Sequence, residues 1–144
     1  MAAADQKIEQ PNRDELEWIA DNLAIGKKIV AVYADGSELD LDSLDRAVVA
    51  WASRKESDRV EANDLVNALG IAFGHIVGEA LGLKWAVVSD ENGVDIALHG
   101  SPGNILVFPT ASIAKRIARA DVPLFRHLYE RLSEDIQRLR EDVH

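Results

Sequence analysis

The sequence predicts an α+β domain: a three-stranded antiparallel meander packed by a central glycine-rich helix, with further helices before and after it. Three observations carry this reading. Glycines recur at every fourth position, Gly70, Gly74, Gly78 and Gly82, within the most apolar helical run of the chain, residues 64–83. Asn92-Gly93 stands between two runs of strand composition and is the strongest hairpin signal present. Apolar residues at helical spacing flank this block on both sides, most clearly Leu124, Leu128, Leu132, Ile136 and Leu139.

Residues 1–10 are expected to form a flexible tail, and residues 11–144 a single globular domain of a size able to bury a core. Asn12 is placed to cap a first helix, with Asp14, Glu15 and Glu17 in its first turn. Leu16, Ile19, Leu23 and Ile29 follow its spacing. Residues 27–34 read as either helix or strand. Ile25, Ile29, Val32 and Tyr33 would continue one helical face past Gly26, so a continuing helix is favoured until Asp35-Gly36 turns the chain. Asp42 or Ser43 is expected to cap a second helix, about 44–54, that buries Leu44, Val48 and Trp51, with Ala47 and Ala52 beside them.

A third helix is expected over 62–81, with Leu65, Leu69, Ala72, Phe73, Ile76 and Ala80 as its core face. An interior glycine costs a helix about 0.5–1 kcal/mol relative to alanine, so Gly70, Gly74 and Gly78 together cost roughly 2–3 kcal/mol. Close packing of another element against the bare stripe would offset that cost. Gly82 falls where a left-handed helix terminator belongs. Residues 85–89, 95–99 and 105–108 then read as three short strands joined by tight turns. A fourth helix, about 111–120, and a last one, about 124–141, complete the chain.

Composition bounds the function. A content of 47% hydrophobic and 28% charged residues is that of an ordinary globular protein. Without cysteine there is no disulfide framework, thiolate metal site or cysteine nucleophile, which agrees with a reducing cytoplasm. A net charge of -9 repels phosphate backbones, so no nucleic-acid partner is expected and a basic protein partner is. The densest acidic stretch, Asp35, Glu38, Asp40, Asp42 and Asp45, reads as a solvated turn and helix start. The N-terminus lacks the apolar core of a signal peptide. Asp64, Asn67, His75, Glu79 and Lys84 interrupt or flank the glycine helix, so no membrane association is expected.

Candidate chemistry is sparse. Lys115, Arg116 and Arg119 form a basic cluster able to hold an anion or an acidic segment of a partner, and His99 sits beside the turn of residues 100–104 as a further candidate. His75 and Glu79, one helical turn apart, could hydrogen-bond but are too few for a metal. Residues 100–104 (GSPGN) lack the lysine and the following helix of a phosphate loop, and Ser101 lacks the strand-to-helix elbow of a nucleophile. Asp90, Glu91 and Asp95 lack the oxygen spacing of a calcium loop, so Asx-type turn stabilisation explains Asp90 and Asn92 better. No catalytic residue, metal site or cofactor is assigned.

One block carries a family resemblance. Leu81-Gly82 ends a helix, Trp85 opens a strand, and Asp90-Glu91 with Gly93 form an acidic hairpin. A strand from Asp95 to Leu98 follows, then Val107 to Pro109 and the Lys115-Arg116 helix. Residues 78–117 thus resemble an uncharacterised bacterial domain-of-unknown-function family. The resemblance implies a small bacterial cytosolic protein of α+β architecture and transfers no site residue.

Three functions follow as expectations. The first is a non-catalytic interaction protein, an adaptor or an immunity-like module that neutralises a partner. The second is a small-molecule hydrolase using His99 or His75 with nearby acids. The third is a structural homodimer joined through the glycine stripe, against internal packing of that stripe, which is favoured.

Overall fold

A helix of 20 residues, α3 (Ala62–Leu81), forms where its spacing predicts and serves as the axis of the molecule. The protein is seen here in a computed structural model that describes residues 6–36, 38–119 and 123–142. The three-glycine groove is filled from within the chain. A Cβ on Gly70 would lie 2.6 Å from Thr110 Cγ2 and 2.9 Å from its Cα. One on Gly74 would meet the Trp85 ring and come within 2.9 Å of Pro109 Cγ, and one on Gly78 would lie 3.1 Å from the Leu83 carbonyl oxygen and 3.3 Å from Leu98. The stripe therefore holds the sheet and the start of the next helix, and it presents no surface to a second copy. Gly82 ends α3 at φ 69°, and the Leu83 N–H returns to the Gly78 carbonyl at 2.9 Å.

The predicted core face of α3 is only part of what is buried. Leu65, Leu69, Ala72 and Phe73 are buried, but Ile76 is half-buried and Ala80 exposed, while Ala68, Ile71 and Val77 join the core. Packing partners lie on more than one side of this helix, and a single amphipathic stripe undercounts its contacts.

The sheet has four strands in the order β1 (Lys7–Glu9), β2 (Lys84–Asp90), β3 (Gly93–Gly100), β4 (Ile105–Val107), each antiparallel to its neighbour. The predicted three-stranded meander is thus corrected by one strand. Residues 7–9, expected in a flexible tail, pair with residues 87–89. Three residues with one apolar side chain have too little periodicity to signal a strand; the open edge of β2 recruits them. Residues 1–5 of that expected tail lie outside the described residues. At the first hairpin, Asp90 pairs with Gly93 around Glu91 and Asn92, and Asp90 Oδ1 accepts the Asn92 N–H at 2.8 Å. The Asx turn is formed, with Gly93 taking the positive φ of 136°.

Helix α1 (Arg13–Tyr33) is continuous through the ambiguous segment. Asn12 and Glu15 close a reciprocal capping box at 2.8 and 2.7 Å. Its buried face is Ile19, Asn22, Gly26, Ile29, Val30 and Tyr33; the expected core residues Leu16, Ile25 and Val32 are exposed. Gly26 explains the rotation. A Cβ there would lie 2.9 Å from the Ala68 carbonyl oxygen and 3.1 Å from Ala72 Cβ, so α1 packs tightly on α3 at this glycine.

Helix α2 (Leu41–Ser53) starts earlier than expected, because Asp40 is its cap. Asp40 Oδ1 accepts the Ser43 N–H at 2.7 Å and Ser43 Oγ accepts the Asp40 N–H at 2.9 Å, so Ser43 completes the box and Asp42 lies inside the helix. Leu44, Ala47, Val48 and Trp51 are buried, and Ala52 is half-buried. Trp51 Nε1 donates to the Val60 carbonyl at 2.7 Å, and the Arg59 guanidinium lies 4.0 Å above its ring. Trp51→Phe is expected to lower unfolding free energy by about 1–2 kcal/mol, read by urea denaturation, since a part-buried carbonyl loses its donor.

Helices α4 (Pro109–Arg119) and α5 (Leu124–Glu141) close the core on α3. On α5, Leu124 and Ile136 are buried, Leu128 and Leu132 half-buried, and Leu139 exposed. Phe125, off the predicted stripe, is fully buried with its ring centroid 5.5 Å from that of Phe73.

Candidate functional site

Burial of Ile113 and Ile117 fixes the rotation of α4 and turns Lys115, Arg116 and Arg119 outward. Arg116 lies back along the helix and donates to the Ser112 carbonyl at 3.2 Å. Lys115 and Arg119 are exposed and form no ion pair with any described acid. Burial of Leu124, Phe125 and Ile136 likewise orients α5 so that His127, Glu130, Arg131 and Glu134 face the same side.

Between the two helices lies a groove of about 370 Å³. Leu124, Leu128 and Pro123 give it apolar surface; Arg116, His127 and Arg131 bring positive groups, and Glu130 and Glu134 carboxylates. Two permanent cations, Arg116 and Arg131, thus stand against two acids in the lining, and Lys115 and Arg119 are exposed on α4 outside it. Such a groove can seat an apolar side chain and hold acidic groups at its rim.

His99 does not join this cluster. It lies at the end of β3, where its Nε2 is 2.9 Å from Asn104 Oδ1 across the loop, and it lines a separate hollow with Lys84, Trp85 and Ile8. His75 pairs with Glu79 at 3.5 Å on α3. Among the described residues no three of His, Asp and Glu gather closely enough to hold a metal ion.

The acidic stretch resolves into distinct roles. Asp40 caps its own helix. Asp42 holds the Arg126 guanidinium with two contacts of 2.9 Å, and this hydrogen bond, then the charge of Asp42, raises the Arg126 pKa above its ordinary value. Asp45 is not solvated: it is only 7% exposed and reaches across to α5. Its Oδ1 accepts the Phe125 N–H at 2.8 Å and its Oδ2 the Arg126 N–H at 3.3 Å. Pro123 precedes α5 and supplies no side-chain cap, so a carboxylate 80 residues away caps the helix instead.

Sequence reasoning takes Arg131 as one of the charges on a surface helix and does not single out His127. Their spacing of four beside Leu124 and Leu128 gave a signal, but the pairing of α4 with α5 gives it meaning.

The family model described as "Domain of unknown function (DUF3806)" matches residues 40–129, which contain the resembling block, α4 and the first turns of α5 but not Glu130, Arg131 and Glu134 of the groove. A protein of Bacteroides thetaiotaomicron VPI-5482, solved by crystallography at 1.50 Å resolution, shares the fold with a TM-score of 0.68 at 13% sequence identity. The similarity covers 88% of this chain and 46% of that one, so the chain spans a little under half the length of its structural neighbour. No curated protein matches the sequence.

Proposed function

The chain belongs to that domain family, and from this premise we propose that it is a non-catalytic bacterial interaction protein of the cytoplasm, an adaptor or an immunity-like module that neutralises its partner. The observation that carries the reading is the α4–α5 groove, with an apolar floor and the exposed Arg131 in its lining, which forms no ion pair with any described acid. The net charge of -9 favours a basic partner at long range. At contact, charges within about 10 Å dominate because salt screens the rest. The groove therefore takes an acidic segment that presents an apolar residue to Leu124 and Leu128. Asp40, Asp42 and Asp45 have internal roles, which leaves less of the acidic stretch free for a basic partner.

The test is affinity capture with the full chain, comparing the natural protein with an Arg131→Glu, Arg119→Glu double variant at low and high salt, since Arg131 lines the groove. Both side chains are exposed, so folding should be retained. A bound protein that is lost from the variant and weakened by salt supports the reading. Identical capture by both forms would exclude the groove as the docking site.

A further inference from the structure

Three large apolar side chains stand exposed in a line along α1: Trp18 at 39%, Ile25 at 44% and Val32 at 59%. They are spaced by seven residues, which on a helix of 3.6 residues per turn makes one stripe that drifts about 20° per step. The internal contacts of α1 run through Gly26 and its neighbours, so Ile25 and Val32 lie outside them, and Trp18 is covered only in part. Asp21 and Lys28 repeat the same interval along its outer flank, both exposed and without an ion pair to any described residue. At the N-terminal end, Trp18 and Val94, itself 68% exposed, border a hollow of about 390 Å³.

We infer that this face joins two copies of the chain in a symmetrical antiparallel dimer. A two-fold axis near Ile25 sets that residue against its own copy and brings Val32 of each copy to Trp18 of the other, at the mouth of the hollow. The same axis brings Asp21 of each copy within one residue of register of Lys28 of the other, so two opposite-charge pairs form. In a parallel pairing the two-fold would run along the helices and put this flank of the two copies on opposite sides of the seam, so neither Asp21–Lys28 pair would form, which favours the antiparallel arrangement. This dimer differs from one built on the glycine stripe, which is filled internally, and it uses no residue of the α4–α5 groove. Three apolar side chains from each copy are expected to bury less than the roughly 1,200 Å² of a standard stable interface, so dissociation is expected on the order of 10–100 μM.

Sedimentation of the full chain across that concentration range tests the proposal. The expected result is reversible association from 15.8 kDa to twice that mass. Ile25→Asp should abolish it with an unchanged circular dichroism spectrum. Asp21→Lys or Lys28→Asp alone should weaken it about tenfold by setting like charges together twice, and the two combined should restore it. A natural protein that stays at 15.8 kDa well above about 100 μM would overturn the inference. Dimerisation that survives Ile25→Asp, or a double reversal that fails to restore association, would overturn it as well.

Discussion

Gly74→Leu is expected to abolish the folded state at ambient temperature. The new side chain would enter the space held by the Trp85 ring and Pro109, two groups that anchor the sheet and α4 to the central helix. Adding even small groups to a filled core costs about 1–3 kcal/mol, and a four-carbon side chain set against a proline ring exceeds that range. Against a total stability of about 5–15 kcal/mol, the folded fraction should fall steeply. Loss of the cooperative thermal transition is the measurement. A Gly74→Leu protein that melts like the natural one would show that the sheet is not seated on the stripe. Gly70→Ala is the graded companion: alanine favours the helix by about 0.5–1 kcal/mol, yet its methyl would press on the Thr110 backbone, so a net loss of about 1–2 kcal/mol is expected.

Asp45→Ala should destabilise the protein by about 2–3 kcal/mol. It removes a charged acceptor from two backbone N–H groups at the start of α5, and the buried Phe125 N–H has no other partner there. Asp45→Asn should lose about half as much, because its one amide oxygen can still serve Phe125. Asp42→Ala removes only a solvent-exposed pair and should leave the urea midpoint nearly unchanged. An Asp45→Ala midpoint equal to that of Asp42→Ala would refute the capping role.

Local signals made most of the elements legible. The bounds of α3, its Gly82 terminator, the Asx hairpin and the continuous α1 all rest on residues within a few positions of one another. Features that depend on distant partners were not legible. The β1 strand exists because β2 has an open edge, and its own three residues do not announce it. The spacing continues the helix past Gly26, but nothing local shows that this glycine is where it packs on α3. Asp45 looked like part of a solvated run, because the N–H groups it serves belong to residues 80 positions later. At the candidate site, the α4 cations were visible by spacing alone. The α5 side of the groove needed the tertiary pairing of two helices, and His99, grouped with the cations by charge, lies elsewhere.

The cap on α5 also bears on the order in which the protein can assemble during synthesis. When α2 leaves the ribosome, the N–H groups that will satisfy Asp45 have not yet been made. The nascent chain must carry this carboxylate in water until α5 emerges, and α5 in turn starts at a proline with no cap of its own. Each element thus lacks its partner until the other is present, so the core cannot close around this contact before α5 has been made. In this chain, a single aspartate makes completion of the fold depend on completion of α5.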